Sequence, residues 1–386
     1  MDNLTHSLVG LAAAKAGLER LSPGATVVCV LAANAPDADI LARLGGHWFY
    51  LQNHRGITHS IVGALALAVL LPALFYAGDL ILASVRQRQR LVRLRGLLLA
   101  SLIATASHPL LDWTNNYGLR PLLPWNGDWF YGDLVFIVDP WIWLALGGAA
   151  FLLTSTKRWQ LAVWIILALV LTAAVLFLPL RNAGLRRPDI FRAGWLACLA
   201  GLILARRMRA GERWGRGLAL AGLALVVVYW GGLSLAHRRA LFRAQEVASG
   251  LTRQHGESPL RIAAMPTLAD PLYWQCVLET NLAAYRFNLA LNGSDGGGAP
   301  VNVGRFEKPQ GREAELVARA SEDERARIFL DFARFPATRV QGDCLSAMLV
   351  QFADLRYTDP GASRSGSFSL SVPVGCAEAV GEIIGR

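Results

Sequence analysis

The sequence predicts a polytopic all-α membrane domain of about six to eight helices, followed by a smaller α+β, mainly antiparallel-sheet soluble domain. Three observations predict it. Hydrophobic residues make up 54% of the 386 positions and charged residues only 17%. Mean hydropathy is +0.36, well on the apolar side for a soluble enzyme of this size. Nearly all the long apolar runs precede about residue 236, and the remainder alternates polar and apolar positions like an ordinary folded domain. The expected division is residues 1–240, membrane-embedded, and residues 245–386, soluble.

A helix crossing the hydrocarbon core needs roughly 20 mostly apolar residues. The first two apolar pieces, 4–18 and 24–36, are short and joined by the turn-forming Ser22-Pro23-Gly24, so they read as a re-entrant helical pair packed on the rest. Full spans follow at 57–84, 134–155, 159–180 and 217–236, with shorter ones at 96–112 and 190–206. Beyond them, RIAAMP, LYWQCVLE, AAYRFNLAL, CLSAMLVQFADL and SFSLSVPV read as strands, with a turn at NGSDGGG and one amphipathic helix over 312–334.

Arginine and lysine collect at 86–95, at Lys157-Arg158 and at 206–217, which strict alternation of spans places on one side, the cytoplasmic one. Arg181, Arg186, Arg187 and Arg192 fall on the opposite side. The soluble domain is then expected on the periplasmic or extracellular side of the membrane. The net charge of +10 reads as a topology signal, and no nucleic-acid partner is expected. No cleavable signal peptide is expected, because MDNLTHSLVG opens with an acid. Cys29, Cys198, Cys276, Cys344 and Cys376 show no CxxC pairing and carry no metal or disulfide signal.

Ionisable groups are costly within or beside spans and usually mark function. Here they are His6, Asp37 and Asp39 in APDAD, His54 and His59 in NHRGITHS, and His108 with Asp112 in HPLLD. Alternating topology brings all seven to one membrane face. Imidazole and carboxylate suit zinc or manganese without any thiol. His108 and Asp112 share a helix face if the helix is continuous, although Pro109 suits a first turn and would place His108 at a cap. Asp37 and Asp39 follow Pro36, in an expected turn. Gly56 is expected to let the chain turn tightly enough to aim His54 and His59 inward. Seven donors exceed one zinc's complement, so two or more ions are expected.

LTHSLVG, PDAD, HRGITHS and HPLLDWTNNYG together resemble the YdjM family of bacterial inner-membrane proteins, described as predicted metal-dependent hydrolases. The resemblance covers roughly residues 1–180. The order of His and Asp is distantly similar to that of zinc-dependent phospholipase C. The resemblance implies His6, Asp37, Asp39, His54, His59, His108 and Asp112 as metal ligands. The last third looks like the extension of longer members of the group, for which no function is implied.

These readings imply a hydrolase in which a divalent ion lowers the pKa of water from about 15.7 toward 7. Asp39 is placed with the catalytic groups, and Arg55 is expected to receive an anionic substrate group through paired hydrogen bonds. A site at the bilayer surface would meet a lipid or lipid-linked phosphate. The alternative is a transporter or a proton or metal-ion relay, which also uses buried His and Asp. A transporter would place them near the midplane between repeated halves, and no repeat is visible. His47, His237 and His255 read as surface or packing residues, Asp139 before Pro140 as a helix entry, and Trp125, Trp129, Trp141 and Trp143 as an interfacial belt. The soluble domain reads as a lid or recognition module.

Overall fold

The computed structural model describes residues 1–177, 185–292, 299–343, 347–361 and 368–375. Arg181, the part of NGSDGGG after Asn292, Cys344 and Cys376 lie outside the described residues. The chain divides into two compact units. The first comprises Met1–Ile40, Arg55–Arg239 and Met265–Trp274, and the second Leu41–His54, Ala240–Ala264 and Gln275–Arg386.

The first unit begins with α1 (Asn3–Ala16) and α2 (Ala25–Asn34), followed by a 3-10 run, Ala35–Gly45, that carries Asp37 and Asp39. Asp2 caps α1 by accepting from Thr5 N at 3.0 Å and from Thr5 Oγ1 at 2.7 Å. A short helix, α3 (His47–Asn53), belongs to the second unit, and α4 (Ile61–Val85) and α5 (Leu94–Trp113) return to the first. Small residues let α1, α2 and α5 approach closely: Ala14, Ala25, Cys29, Ala32, Ala100 and Ala104 form one buried cluster with Val28 and Leu97. A β-carbon added at Gly10 would lie 2.6 Å from the Cys29 carbonyl oxygen, so only glycine permits that crossing.

The bundle continues with α6 (Pro140–Thr154), α7 (Arg158–Phe177), α8 (Pro188–Arg207), the single turn α9 (Ala210–Trp214) and α10 (Arg216–His255). Asp139 caps α6 by accepting from Trp141 N and Ile142 N. Among the described residues, six segments are long and apolar enough to cross a membrane: Ala25–Gly45, Ile61–Val85, Leu94–Trp113, Arg158–Phe177, Pro188–Arg207 and Arg216–His255. Their large apolar side chains point outward, as at Ile166, Leu169 and Val228. The chain is a multi-pass membrane protein.

Several boundaries differ from expectation. Pro109 lies inside α5 rather than at its start, so His108 lies within the last two turns of the helix rather than at a cap, and i,i+4 geometry holds for His108 and Asp112. The helix α10 runs to His255, well past the apolar stretch ending near 236, because hydropathy locates the part that crosses lipid and not the helix end. In 54–60 the left-handed residue is Arg55 (φ 53°), whereas Gly56 has φ −88°.

After the helices come two small antiparallel sheets. The four-stranded one orders β1 (Pro259–Thr267), β2 (Asp270–Thr280), β3 (Ala283–Ala290) and β4 (Val301–Glu307) sequentially; the three-stranded one orders β5 (Pro336–Asp343), β6 (Ala347–Asp354) and β7 (Ser369–Val374). Between them, the single helix expected over 312–334 is two, α11 (Gly311–Ala320) and α12 (Glu324–Phe332). Asp323 makes the break: it adopts an extended ψ and caps α12 by accepting from Arg325 N at 2.8 Å. Leu316, Phe329, Val350, Phe352, Leu370 and Val372 join the two helices and the second sheet in one core.

Candidate metal centre

The site is built from three separate stretches of chain. The 3-10 run after α2 supplies Asp37, the one-turn 3-10 segment Ile57–His59 supplies His59, and one face of α5 supplies His108 and Asp112. One donor atom from each of the four lies within 4.8 Å of all the others. The His59 and His108 Nε2 atoms are 3.1 Å apart. His59 Nε2 is 3.5 Å from Asp37 Oδ1 and 3.3 Å from Asp112 Oδ2, and His108 Nε2 is 3.5 and 3.6 Å from the same oxygens. Ligands about 2.0–2.1 Å from a tetrahedral centre are roughly 3.3 Å from one another. Five of the six edges therefore match a small divalent ion.

The tautomers make the same point. His108 Nδ1 is 2.6 Å from the Ala33 carbonyl oxygen, which can only accept, so Nδ1 carries the hydrogen and Nε2 presents a lone pair. His59 Nδ1 lies 3.4 Å from Asp39 Oδ2 and 3.1 Å from Thr58 Oγ1, and with the hydrogen on Nδ1 its Nε2 is likewise an acceptor. Two imine nitrogens and two carboxylate oxygens then face one another, an arrangement of acceptors that a cation satisfies.

His6, in the first turns of α1, stacks on His108 with ring centroids 3.7 Å apart and puts Nε2 3.3 Å from Asp112 Oδ1. Both His6 ring nitrogens and Asp112 Oδ2 are buried without a hydrogen-bond partner among the described residues. The Met1 amine also donates to Asp112 Oδ1. Asp37 is the open side of the group: its side chain is 18% exposed, against 0–1% for His59, His108 and Asp112.

The remaining residues singled out in the sequence surround this group or lie apart from it. Asp39 accepts the Arg55 backbone N–H at 2.8 Å and faces the Nδ1 of His59, on the ring edge turned away from the four donors. Arg55 is buried. Its guanidinium reaches Asp112 (Nε to Oδ2 3.1 Å, Nη2 to Oδ1 3.2 Å), donates to Asn115 Oδ1 at 2.9 Å and to the Gly118 carbonyl at 3.2 Å, and stands 4.7 Å over the Tyr117 ring. His54, in the second unit, stacks on Tyr50 at 4.7 Å and is not part of the four-donor group. Asn115, Tyr117 and Gly118 were not singled out by residue type. The signal that could have found them is the polar TNNYG run that starts at Thr114, directly after the helix ends at Trp113.

Comparison with known proteins agrees with the motifs. Residues 1–177 match the YdjM inner membrane protein family. All four donors fall within that YdjM-matching part. The chain is also 31% identical over 159 residues to the uncharacterized protein YfhP of Bacillus subtilis (strain 168), a match spanning 38% of this chain and 44% of that protein. No solved structure matches.

Proposed function

We propose that the YdjM-matching part is a metal-dependent hydrolase that acts at the surface of a bacterial inner membrane on a phosphoester or lipid-like substrate. The observation that carries this reading is the convergence of four acceptor atoms, five of whose six edges are 3.1–3.6 Å. His59, His108, Asp37 and Asp112 would hold one ion of the zinc type. His6 and Asp112 Oδ1 offer donors to a second, since a carboxylate engaged at both oxygens suits paired metals. Such ions supply an activated water and stabilise charge developing on a phosphoryl or acyl oxygen.

The chain's own groups have distinct roles. Asp37 borders the accessible side, where substrate would approach. Asp39 holds the His59 ring, and Arg55 holds Asp112, so both act as positioning residues. The donors stand at helix ends rather than at mid-span, which favours an enzyme over a relay. Trp113 and Trp125, adjacent in sequence to the site, are exposed and suit a headgroup boundary, in keeping with a lipidic substrate. The soluble domain is placed, on the same reading, outside the cytoplasm.

Metal analysis of detergent-purified wild type, His59→Ala and Asp112→Ala, paired with hydrolysis of a chromogenic phosphodiester, tests this. Bound zinc or manganese and hydrolysis should both be lost in the variants. Wild-type metal content in His59→Ala would reject the site, and metal without hydrolysis of phosphoesters or acyl esters would turn the reading toward ion or proton conduction.

A further inference from the structure

A different feature of the helical unit has no part in the metal centre. Between α1, α6, α7 and α8 lies a cavity of about 350 Å³, lined by Leu8, Trp143, Gly147, Phe151, Trp164 and Leu202 among others. Its wall offers nothing polar to a ligand. The three lining indoles already spend their N–H groups elsewhere: Trp143 on Thr5 Oγ1 at 3.0 Å, Trp164 on Thr154 Oγ1 at 2.8 Å, and Trp195 on Thr172 Oγ1 at 3.1 Å. Water gains no hydrogen bond there, and hydrocarbon does only what hydrocarbon does anywhere: fill space. Ile165 and Ile203 on its rim are about half exposed, so the cavity opens sideways onto the lipid-facing surface.

Phe151, Ile165 and Ile203 also line a second cleft of about 680 Å³, toward the C-terminal ends of α6 and α8, where the chemistry changes abruptly. Arg206, Arg207 and Arg209 border it, with Ser155 and Thr156. Arg206 is anchored by a hydrogen bond to Ser155 Oγ and lies 5.5 Å over the Phe151 ring. Arg209 pairs with Glu212 at 3.1 Å, and Arg207 has no ion-pair partner among the described residues. Three guanidinium groups thus face one carboxylate. An apolar slot that continues into an arginine-lined cleft has the polarity profile of one molecule type, an acyl chain ending in an anionic headgroup, and basic pockets between membrane helices recognise such lipids.

We propose that α6, α7, α8 and α9 form a binding site for an anionic phospholipid, with an acyl chain in the apolar cavity and the phosphate against Arg206, Arg207 and Arg209. The site is separate from the metal centre. Trp143, near the start of α6, bonds the first turn of α1, whereas Ser155 lies past the other end of α6, roughly 18 Å further along the helix axis. The lipid held here is a resident ligand and not the hydrolysed substrate.

The test is titration of detergent-purified full-length protein with phosphatidylglycerol or phosphatidylcholine of identical chains, with bound lipid counted by native mass spectrometry. Phosphatidylglycerol should bind roughly tenfold more tightly than phosphatidylcholine. Arg207→Gln should remove about fivefold of that preference and leave phosphatidylcholine binding unchanged. Gly147→Phe should weaken both lipids, because a β-carbon there meets only Leu8 methyls at 3.6 and 3.8 Å and the ring would enter the cavity. Gly147→Leu serves if the larger residue impairs folding. Millimolar inorganic phosphate should not displace the lipid. Equal binding of the two lipids, displacement by phosphate alone, or unchanged binding in a folded Gly147 variant would each overturn the proposal.

Discussion

Gly63, near the start of α4, offers the sharpest control over the candidate metal centre without touching a donor. A β-carbon built there would lie 1.8 Å from the Ile57 carbonyl oxygen, 2.8 Å from its carbon and 3.0 Å from Thr58 Cα, all of them backbone. Real β-carbons do not approach within 3.0 Å, so Gly63→Ala must displace the Ile57 peptide by about 1 Å or more, at an overpacking cost of about 1–3 kcal/mol. Ile57 opens the single turn that ends at His59. A shift of that size far exceeds the roughly 0.2 Å tolerance of metal–ligand distances, and we expect zinc affinity to fall about 100-fold. Chelator competition on the purified protein measures it. Gly78→Ala, in the same helix with nothing within 4 Å of the added carbon, should leave affinity unchanged and stabilise α4 by up to about 1 kcal/mol. Wild-type zinc affinity in Gly63→Ala would refute the reasoning, because His59 would then not depend on where that turn sits.

Three further outcomes are expected. Asp39→Asn should weaken metal binding about 10- to 100-fold in chelator titrations, because it removes the carboxylate that orients the His59 ring. Arg55→Gln strips Asp112 of one of its two buried cationic partners, the Met1 amine being the other, and should destabilise the helical unit by about 3 kcal/mol, read as a lower thermal midpoint. In the C-terminal domain, the Arg325 guanidinium beside Asp323 holds its carboxyl down, from 3.8 to about 2. A depressed carboxyl stabilises above its unfolded pKa, so amide-exchange protection of α12 should be complete above pH 4 and fall between pH 4 and 2, and Asp323→Asn should flatten that dependence.

Much of the helical architecture was legible because lipid imposes one rule, continuous apolarity, that composition reports directly. Helix ends were less so: α4 starts four residues after the predicted span, since Ser60 accepts from Gly63 N and caps it there. Two strands escaped notice for different reasons. β4 is half-exposed and carries glycine and charge, and β5 begins with proline and alternates into polar residues. At the site, residue type pointed to imidazoles and acids, but not to which atoms face each other. The distinction between Asp37, among the four donors, and Asp39, behind His59, depends on a 3-10 run that places two near neighbours on different sides. Arg55 carried a charge suited to a substrate, and only the tertiary structure shows it buried against Asp112, Asn115 and Tyr117.

The dispersal of the donors along the chain has a consequence for biogenesis. At roughly 5–20 residues per second, a ribosome delivers Asp37 and Arg55 to the membrane seconds before His108 and Asp112 exist. The earliest helices therefore meet the insertion machinery carrying charges whose counterparts are still unsynthesised, and they should linger beside it until α5 arrives. A nascent chain arrested before Leu94 would be a trapped insertion intermediate, and one arrested well past Trp113 would be released.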